Sequence, residues 1–295
     1  MGFEAFIQHL INGLSLGSLY ALIAIGYTMV YGILRLINFA HGDVLMVGCY
    51  AAFFGQAIFG LPWWAGLAGA MALTALLGAL IEAGAYRPLR AAPRISTLIA
   101  AIGVSFLLQN LAIVFFGGRA KAFQRPEVFD QVYQWGQVRV QALGLWTPLV
   151  TALLLIGLLL LLRRTRLGLA MRALSRDMTT VGLMGVDVNR VVAMAFAIGS
   201  ALAAVGGVFW AMKYPQINPA MGVMPGLKAF TAAVLGGIGN VGGAVAGGLV
   251  LGLAEILLVA LLPAYSGYKD ALAFLLLIGV LLFRPTGIMG RELPE

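Results

Sequence analysis

Charge is scarce in this chain. Lys, Arg, Asp and Glu together make up 10% of its 295 residues, against 61% hydrophobic ones. Water-soluble domains carry about a quarter charged residues, so a soluble globular enzyme is excluded and a polytopic membrane protein is indicated. Cysteine is almost missing: the single Cys49, in an apolar stretch, excludes an intrachain disulfide framework and a Cys-rich metal site. Histidine is nearly as rare. His9 and His41 fall toward opposite ends of one apolar run and cannot form a zinc site together, and no Ser, His and Asp set suited to nucleophilic catalysis is evident. The first residues include Glu4 and no cluster of Lys or Arg, so a cleavable leader is not expected. The little charge present is lopsided, 19 bases to 11 acids for a net +8. In so apolar a chain that surplus reads as an orientation signal and not as nucleic-acid binding.

At about 20 residues per crossing the chain has room for about eight or nine helical spans and little else. The expected fold is an all-α polytopic membrane protein, with residues 1–295 forming one transmembrane domain. Apolar runs lie at about Leu10–Leu34, Val44–Phe59, Ala65–Tyr86, Ile95–Phe116, Leu143–Leu162, Val191–Met212 and Asp270–Phe283. A longer one, Leu227–Leu262, has 36 residues, too many for one straight crossing and barely enough for two. It contains LGGIGNVGGAVAGGLVLG, which predicts a short helix to about Gly237, a break near Gly239 and Asn240, and a return helix. Gly239, Gly243 and Gly247 recur every fourth residue, and on a helix they would make a flat packing strip. A second predicted discontinuity lies at LINFAHGDVLM, where Asn38, His41 and Asp43 surround Gly42. His41 and Asp43 suit either a proton relay or the cap of the following helix, since Asp is favoured at helix N-termini.

Between the fifth and sixth runs lies Arg163–Arg190, which holds six of the 19 bases. Met171, Leu174, Met178 and Val181 recur there at spacings of three and four, along one side of a helix, while Arg172, Arg176, Asp177 and Thr180 turn elsewhere. So narrow an apolar stripe cannot span a bilayer, and it needs either the membrane surface or a groove on a soluble partner. With this interval in the cytoplasm, counting spans places Arg35, Arg87, Arg90, Arg94, Arg284 and Arg291 on the same side, twelve bases against seven, and the N-terminus outside. Glu82 and Glu255 interrupt apolar runs, where carboxylates are costly. Glu82 is within reach of Arg87, and Glu255 of Lys269 across a turn.

GSLYALIAIGYTMVYGILRLINFAHGDVLM, RALSRDMTTVGLMGVDVNRV and AVLGGIGNVGGAVAGGLVLGLAE resemble the corresponding blocks of bacterial permeases for branched-chain amino acids, the LivH-type subunits of ATP-driven importers. The resemblance covers nearly the whole chain. It implies an inner-membrane permease domain that binds no cofactor itself and pairs with a sister permease and two cytoplasmic ATPases carrying ATP and Mg. It also implies a solute delivered by an extracytoplasmic binding protein, with lipid but no nucleic acid as a further partner. Residues 163–190 would then be the coupling segment, with a coupling helix from Met171 to Met184. Met171, Arg172, Leu174, Ser175, Arg176, Met178, Val181 and Met184 would meet the ATPase. Ala170, Ala173 and Gly182 match the looser pattern of such loops in kind, while a Glu expected near the start is absent. Docking would then rest on shape and apolar contact. Asn38, His41, Gly42, Asp43, Gly239 and Asn240 are the expected translocation path. Related permeases of the same build serve urea or short amides, which remain alternative solutes. An ion-coupled secondary transporter using Glu82 and Glu255 is the alternative of another class.

Overall fold

The computed structural model describes residues 2–290, without the side chains of Phe3 and Arg94; Arg291, counted above among the inner bases, lies outside the described residues. The chain forms α1 (Phe3–Leu34), α2 (His41–Ala57) and α3 (Trp63–Ile81), which runs on through a π turn (Glu82–Tyr86) and a 3-10 turn (Arg87–Leu89). There follow α4 (Arg94–Phe116), the short strand β1 (Lys121–Ala122), the single turn α5 (Glu127–Asp130), and the hairpin β2 (Val132–Trp135) and β3 (Val138–Gln141). Next come α6 (Ala142–Arg164), α7 (Arg166–Leu174), α8 (Met178–Leu183), α9 (Val188–Lys213) and β4 (Gln216–Ile217). The chain closes with α10 (Val223–Gly236), α11 (Val241–Leu261), a 3-10 stretch (Pro263–Tyr268) and α12 (Lys269–Phe283). The all-α class holds, but among the described residues seven helical segments, not eight or nine, are long and apolar enough to cross a membrane. The difference is physical. α10 has only 14 residues, and α2 has 17 and opens on His41 and Asp43, so both fall short of the about 20 apolar residues a full crossing needs.

α1 is the axis of the bundle. Its apolar stretch is 89% buried, against 6% for the stretch ending in α12, which lies on the periphery. Helices approach α1 and α10 where side chains vanish. Gly248 and Gly252 of α11 lie on Ala21 and Gly17 of α1, and a Cβ at Gly252 would run into the Gly17 backbone. Such contacts substitute for the hydrophobic drive that lipid removes. The predicted glycine strip is split: Gly243 and Gly247 face Gly236 and Ala232 of α10, while Gly239 is off the helix, in the break. That break is real. Gly237 and Gly239 have φ of 102° and 94°, where only glycine sits without strain, and α11 restarts at Asn240, whose Oδ1 accepts from Gly243 N at 3.2 Å. The first discontinuity spans residues 35–40, just before Gly42, which itself sits in the first turn of α2.

Two ends can be told apart by what ties them together. At one, Arg139 N donates to Gln8 Oε1 (2.8 Å), β1 pairs with β4, and Arg125 Nε donates to the Met212 carbonyl (2.8 Å). At the other, Arg90 Nη1 donates to Asn189 Oδ1 (2.7 Å), and Ile288 N and Met289 N donate to the last carbonyls of α10, at Leu235 and Gly236 (2.8 and 2.9 Å). Arg35, the Arg87–Arg90 turn, α7 and α8 share this second, arginine-rich end, as the span count anticipated.

Candidate functional site

The arginine-rich end is organised by caps. Thr165 Oγ1 accepts from Gly168 N (3.0 Å) and starts α7; Asp177 accepts from Thr179 N (2.9 Å), Thr180 N (3.2 Å) and the Thr180 hydroxyl and starts α8. Asp187 accepts from Arg190 N (3.0 Å) and starts α9. The Thr180 hydroxyl, then the Thr180 and Thr179 amides, hold the Asp177 carboxyl below the ordinary carboxylate range. The single helix expected from Met171 to Met184 is therefore two helices divided at Ser175–Asp177. The reason is that Asp177 is a stronger cap than a helix interior residue. Met171, Leu174 and Val181 are buried on the chain's own helices, with Met178 half-buried, so the apolar stripe seats the segment on its own bundle. Met171 borders a cavity of about 90 Å³ together with Thr28, Gly32 and Gly239. Arg172 and Arg176 are exposed, Ser175 is half-buried with its hydroxyl donating to the Arg172 carbonyl (2.8 Å), and Leu183 and Met184 are 85% and 79% exposed.

The six expected path residues fall into two groups. Asn38, Gly239 and Asn240 lie by the two breaks, which adjoin each other: Asn38 and Ile238 border one small cleft, and Gly32 faces Gly239. Asn38 Oδ1 accepts from the Tyr86 hydroxyl (2.9 Å) and from Ala40 N (3.1 Å), while Asn240 Nδ2 donates to the Met289 carbonyl (2.9 Å). His41, Gly42 and Asp43 are instead packed inside the bundle. The His41 ring lies against Gly26 and stacks obliquely on Tyr27, centroids 4.4 Å apart. Gly42 meets Gly222 and Gly226 backbone to backbone. Asp43 does not cap α2, whose N-cap Ala40 makes no side-chain bond; its Oδ1 accepts from Gln109 Nε2 of α4 at 2.9 Å.

Both intramembrane glutamates are neutralised. Glu82 begins the π turn, whose wider pitch brings residues five apart into line, and its carboxylate meets Arg87 Nη2 (2.8 Å) and Arg90. Glu255 pairs with Lys228, not Lys269: Lys228 Nζ lies 2.9 and 3.0 Å from the two carboxylate oxygens and 2.6 Å from Asp270 Oδ1, and the Tyr20 hydroxyl donates to Glu255 Oε2 at 2.9 Å. Lys228 is 4% exposed. It was counted with the outer bases, yet a lone lysine in the apolar run from Leu227 is itself the signal of a buried ion pair. Among the described residues no three His, Cys, Asp or Glu side chains are placed to hold a metal.

The chain is 46% identical over 299 residues to the high-affinity branched-chain amino acid transport system permease protein BraD of Pseudomonas aeruginosa, covering 97% of this chain and 96% of that one. It is 46% identical over 302 residues to the corresponding permease protein LivH of Escherichia coli K12, covering 98% and 97%. It is 27% identical over 256 residues to the ribose import permease protein RbsC of the same bacterium, covering 83% and 76%. The family profile described as "Branched-chain amino acid transport system / permease component" matches residues 9–281. By that match and those identities the chain, a multi-pass membrane transport subunit, belongs to the branched-chain amino acid permease family.

Proposed function

We propose that this chain is the membrane-spanning subunit of an ATP-binding-cassette importer that carries branched-chain, aliphatic amino acids into the cytoplasm. It works beside a sister permease in the bacterial inner membrane, with its N-terminus outside. An extracytoplasmic binding protein delivers the solute, and two ATPases at the arginine-rich end hold the ATP and Mg; the chain itself hydrolyses nothing. The observation that carries the reading is the pair Leu183 and Met184, 85% and 79% exposed at the end where arginines cluster. Two large apolar side chains held out beyond the membrane spans call for an apolar groove, while the buried stripe of Met171, Leu174 and Val181 ties the same segment to the bundle. Residues 163–190 thus have one face for the ATPase and one for the permease.

Motion would travel a short way. The segment packs on α6 and α9, and Met171 and Ser175 border the cavity that Gly32 and Gly239 also border, so a push on α7 and α8 would move those spans and change the space next to the second break. Rocking of two such subunits would open the path to alternate sides. Neutral groups at the breaks, Asn38 and Asn240, suit weak passage of a zwitterion with an aliphatic tail. The ion-coupled alternative loses its candidate sites, because Glu82 and Glu255 each carry an internal cation. Reconstitution with and without the ATPases tests the proposal. Uptake that needs ATP and all partners supports it, and proton-driven accumulation by this chain alone removes it. Cysteine labelling at Ser175 and Thr179 tests the orientation, since reaction from the external side overturns it. Binding measurements on the partner binding protein decide between aliphatic amino acids and urea or amides.

A further inference from the structure

A chamber of about 480 Å³ opens at the arginine-rich end between α1, α6, α7 and the second break. Arg35, Arg163, Arg172 and Arg176 line it, and among the described residues no acidic one does. The ion pairs found among the described residues use Arg87, Arg90, Arg125 and Lys228, so none of these four guanidinium groups meets a carboxylate there. Four like charges around one small space repel one another until an anion enters.

Depth narrows the choice of anion. Arg35 caps the last turn of α1 and Arg163 lies in the last turn of α6, where the apolar helices stop and a bilayer's headgroups begin. Leu159, Leu162 and Ile238 are the apolar part of the chamber's lining, and α6 leaves Ile156 and Leu160 54% and 53% exposed, an apolar surface on which an acyl chain would lie. Guanidinium forks match the paired oxygens of a phosphate. We propose that this chamber holds the phosphate of an anionic phospholipid of the inner leaflet, seated among Arg35, Arg163, Arg172 and Arg176. The headgroup then bridges the coupling segment, through Arg172 and Arg176, to the ends of α1 and α6. Acidic lipid becomes part of the linkage that an ATPase moves.

The test uses the full chain in its assembled transporter, in nanodiscs of phosphatidylcholine with or without phosphatidylglycerol, and reads lipid retained after detergent extraction by native mass spectrometry. Retention of phosphatidylglycerol should fall about fivefold for each arginine removed, the size of one basic residue's attraction to an acidic bilayer. Arg163→Gln alone should show one such step, Arg163→Gln with Arg172→Gln two, and Arg166→Gln, which does not line the chamber, none. Equal retention by wild type and the double variant overturns the proposal. So does displacement of the lipid by an equal concentration of inorganic phosphate, which would make the site one for free phosphate. Loss of ATPase co-purification with lipid retention unchanged also overturns it, by assigning these arginines to the ATPase. Bound lipid is the readout, so a wrong solute or partner assignment leaves this test intact.

Discussion

Removing Lys228 should destabilise this protein by the cost of stranding its buried partner. Lys228→Met deletes the cation 2.9 Å from Glu255 Oε1 and leaves a carboxylate that is 2% exposed facing only the Tyr20 hydroxyl. Breaking one side of a buried pair costs about 3–5 kcal/mol, because the surviving charge is stranded in low dielectric. At about 2–4 °C per kcal/mol for a large domain, the melting midpoint of the detergent-purified protein should drop by roughly 6–20 °C. Asp270 contributes far less, since its side chain is 39% exposed and water screens the contact; Asp270→Asn should move the midpoint by no more than about 2–4 °C. The sharper test is the double variant. Lys228→Met with Glu255→Leu removes both charges and fills their space with apolar atoms, which for buried pairs is often neutral, so the double should melt well above the single. Scanning fluorimetry on the four proteins measures this. A Lys228→Met protein that melts with wild type, or a double variant no better than the single, would refute the claim that Glu255 depends on Lys228.

Other expectations are narrower. Leu183→Asp with Met184→Asp should abolish co-purification of the ATPases while leaving the melting midpoint unchanged, since neither side chain is buried; intact co-purification moves the docking surface elsewhere. Gly243→Leu should fail to accumulate in membranes, because its side chain would be driven into the Gly236 backbone at a cost at or above the about 1–3 kcal/mol of ordinary overpacking. Gly242→Ala, whose new methyl group meets only the Asn240 side chain at 3.5 Å, should accumulate normally. Asp177 gives a pH dependence: a carboxyl held below its ordinary value stabilises α8 at all pH above the ordinary value of about 4, and that support disappears as pH falls through the lowered one. Protection from hydrogen exchange at Met178–Leu183, relative to the free-peptide rate at each pH, should therefore fall only in acid, and in Asp177→Ala it should be low at neutral pH too; undiminished protection in the variant would show that the cap is not what holds the helix.

Much of the architecture was legible because lipid makes a simple solvent. Long apolar runs and the glycine-rich break follow from the need to satisfy backbone polar groups in lipid, and basic turns from the bias of Lys and Arg to one side; the runs, the turns and the break all stand in the structure. What stayed hidden depends on partners far apart in the chain. Asp43 reaches 66 residues to Gln109 and Asn38 reaches 48 to Tyr86, and nothing in local spacing singles out those two donors. Local rules also misled where two applied at once: Asp43 near a helix start looked like a cap, yet the bundle drew its carboxylate to α4. Lys228 was readable in principle. Its cost in an apolar run demands a carboxylate nearby, and Glu255, one short helical hairpin away, was already conspicuous.

The proposed coupling segment carries the most general lesson. A periodic apolar stripe says that a helix will be covered, but period alone does not say by what. Here Met171, Leu174 and Val181 are covered by the chain's own helices, and the residues left for a partner, Leu183 and Met184, stand at the end of α8, off that stripe. The division has mechanical value. A segment bound to the bundle only through an exposed tip would tilt when pushed and leave α1 and the breaks where they were. With its stripe buried against α6 and α9, a displacement of the tip must drag those spans with it, because close-packed interiors transmit strain. Trimming the stripe, as in Met171→Ala, should therefore uncouple ATP hydrolysis from uptake while ATPase binding persists. Parallel loss of binding and uptake would show instead that the stripe itself meets the ATPase.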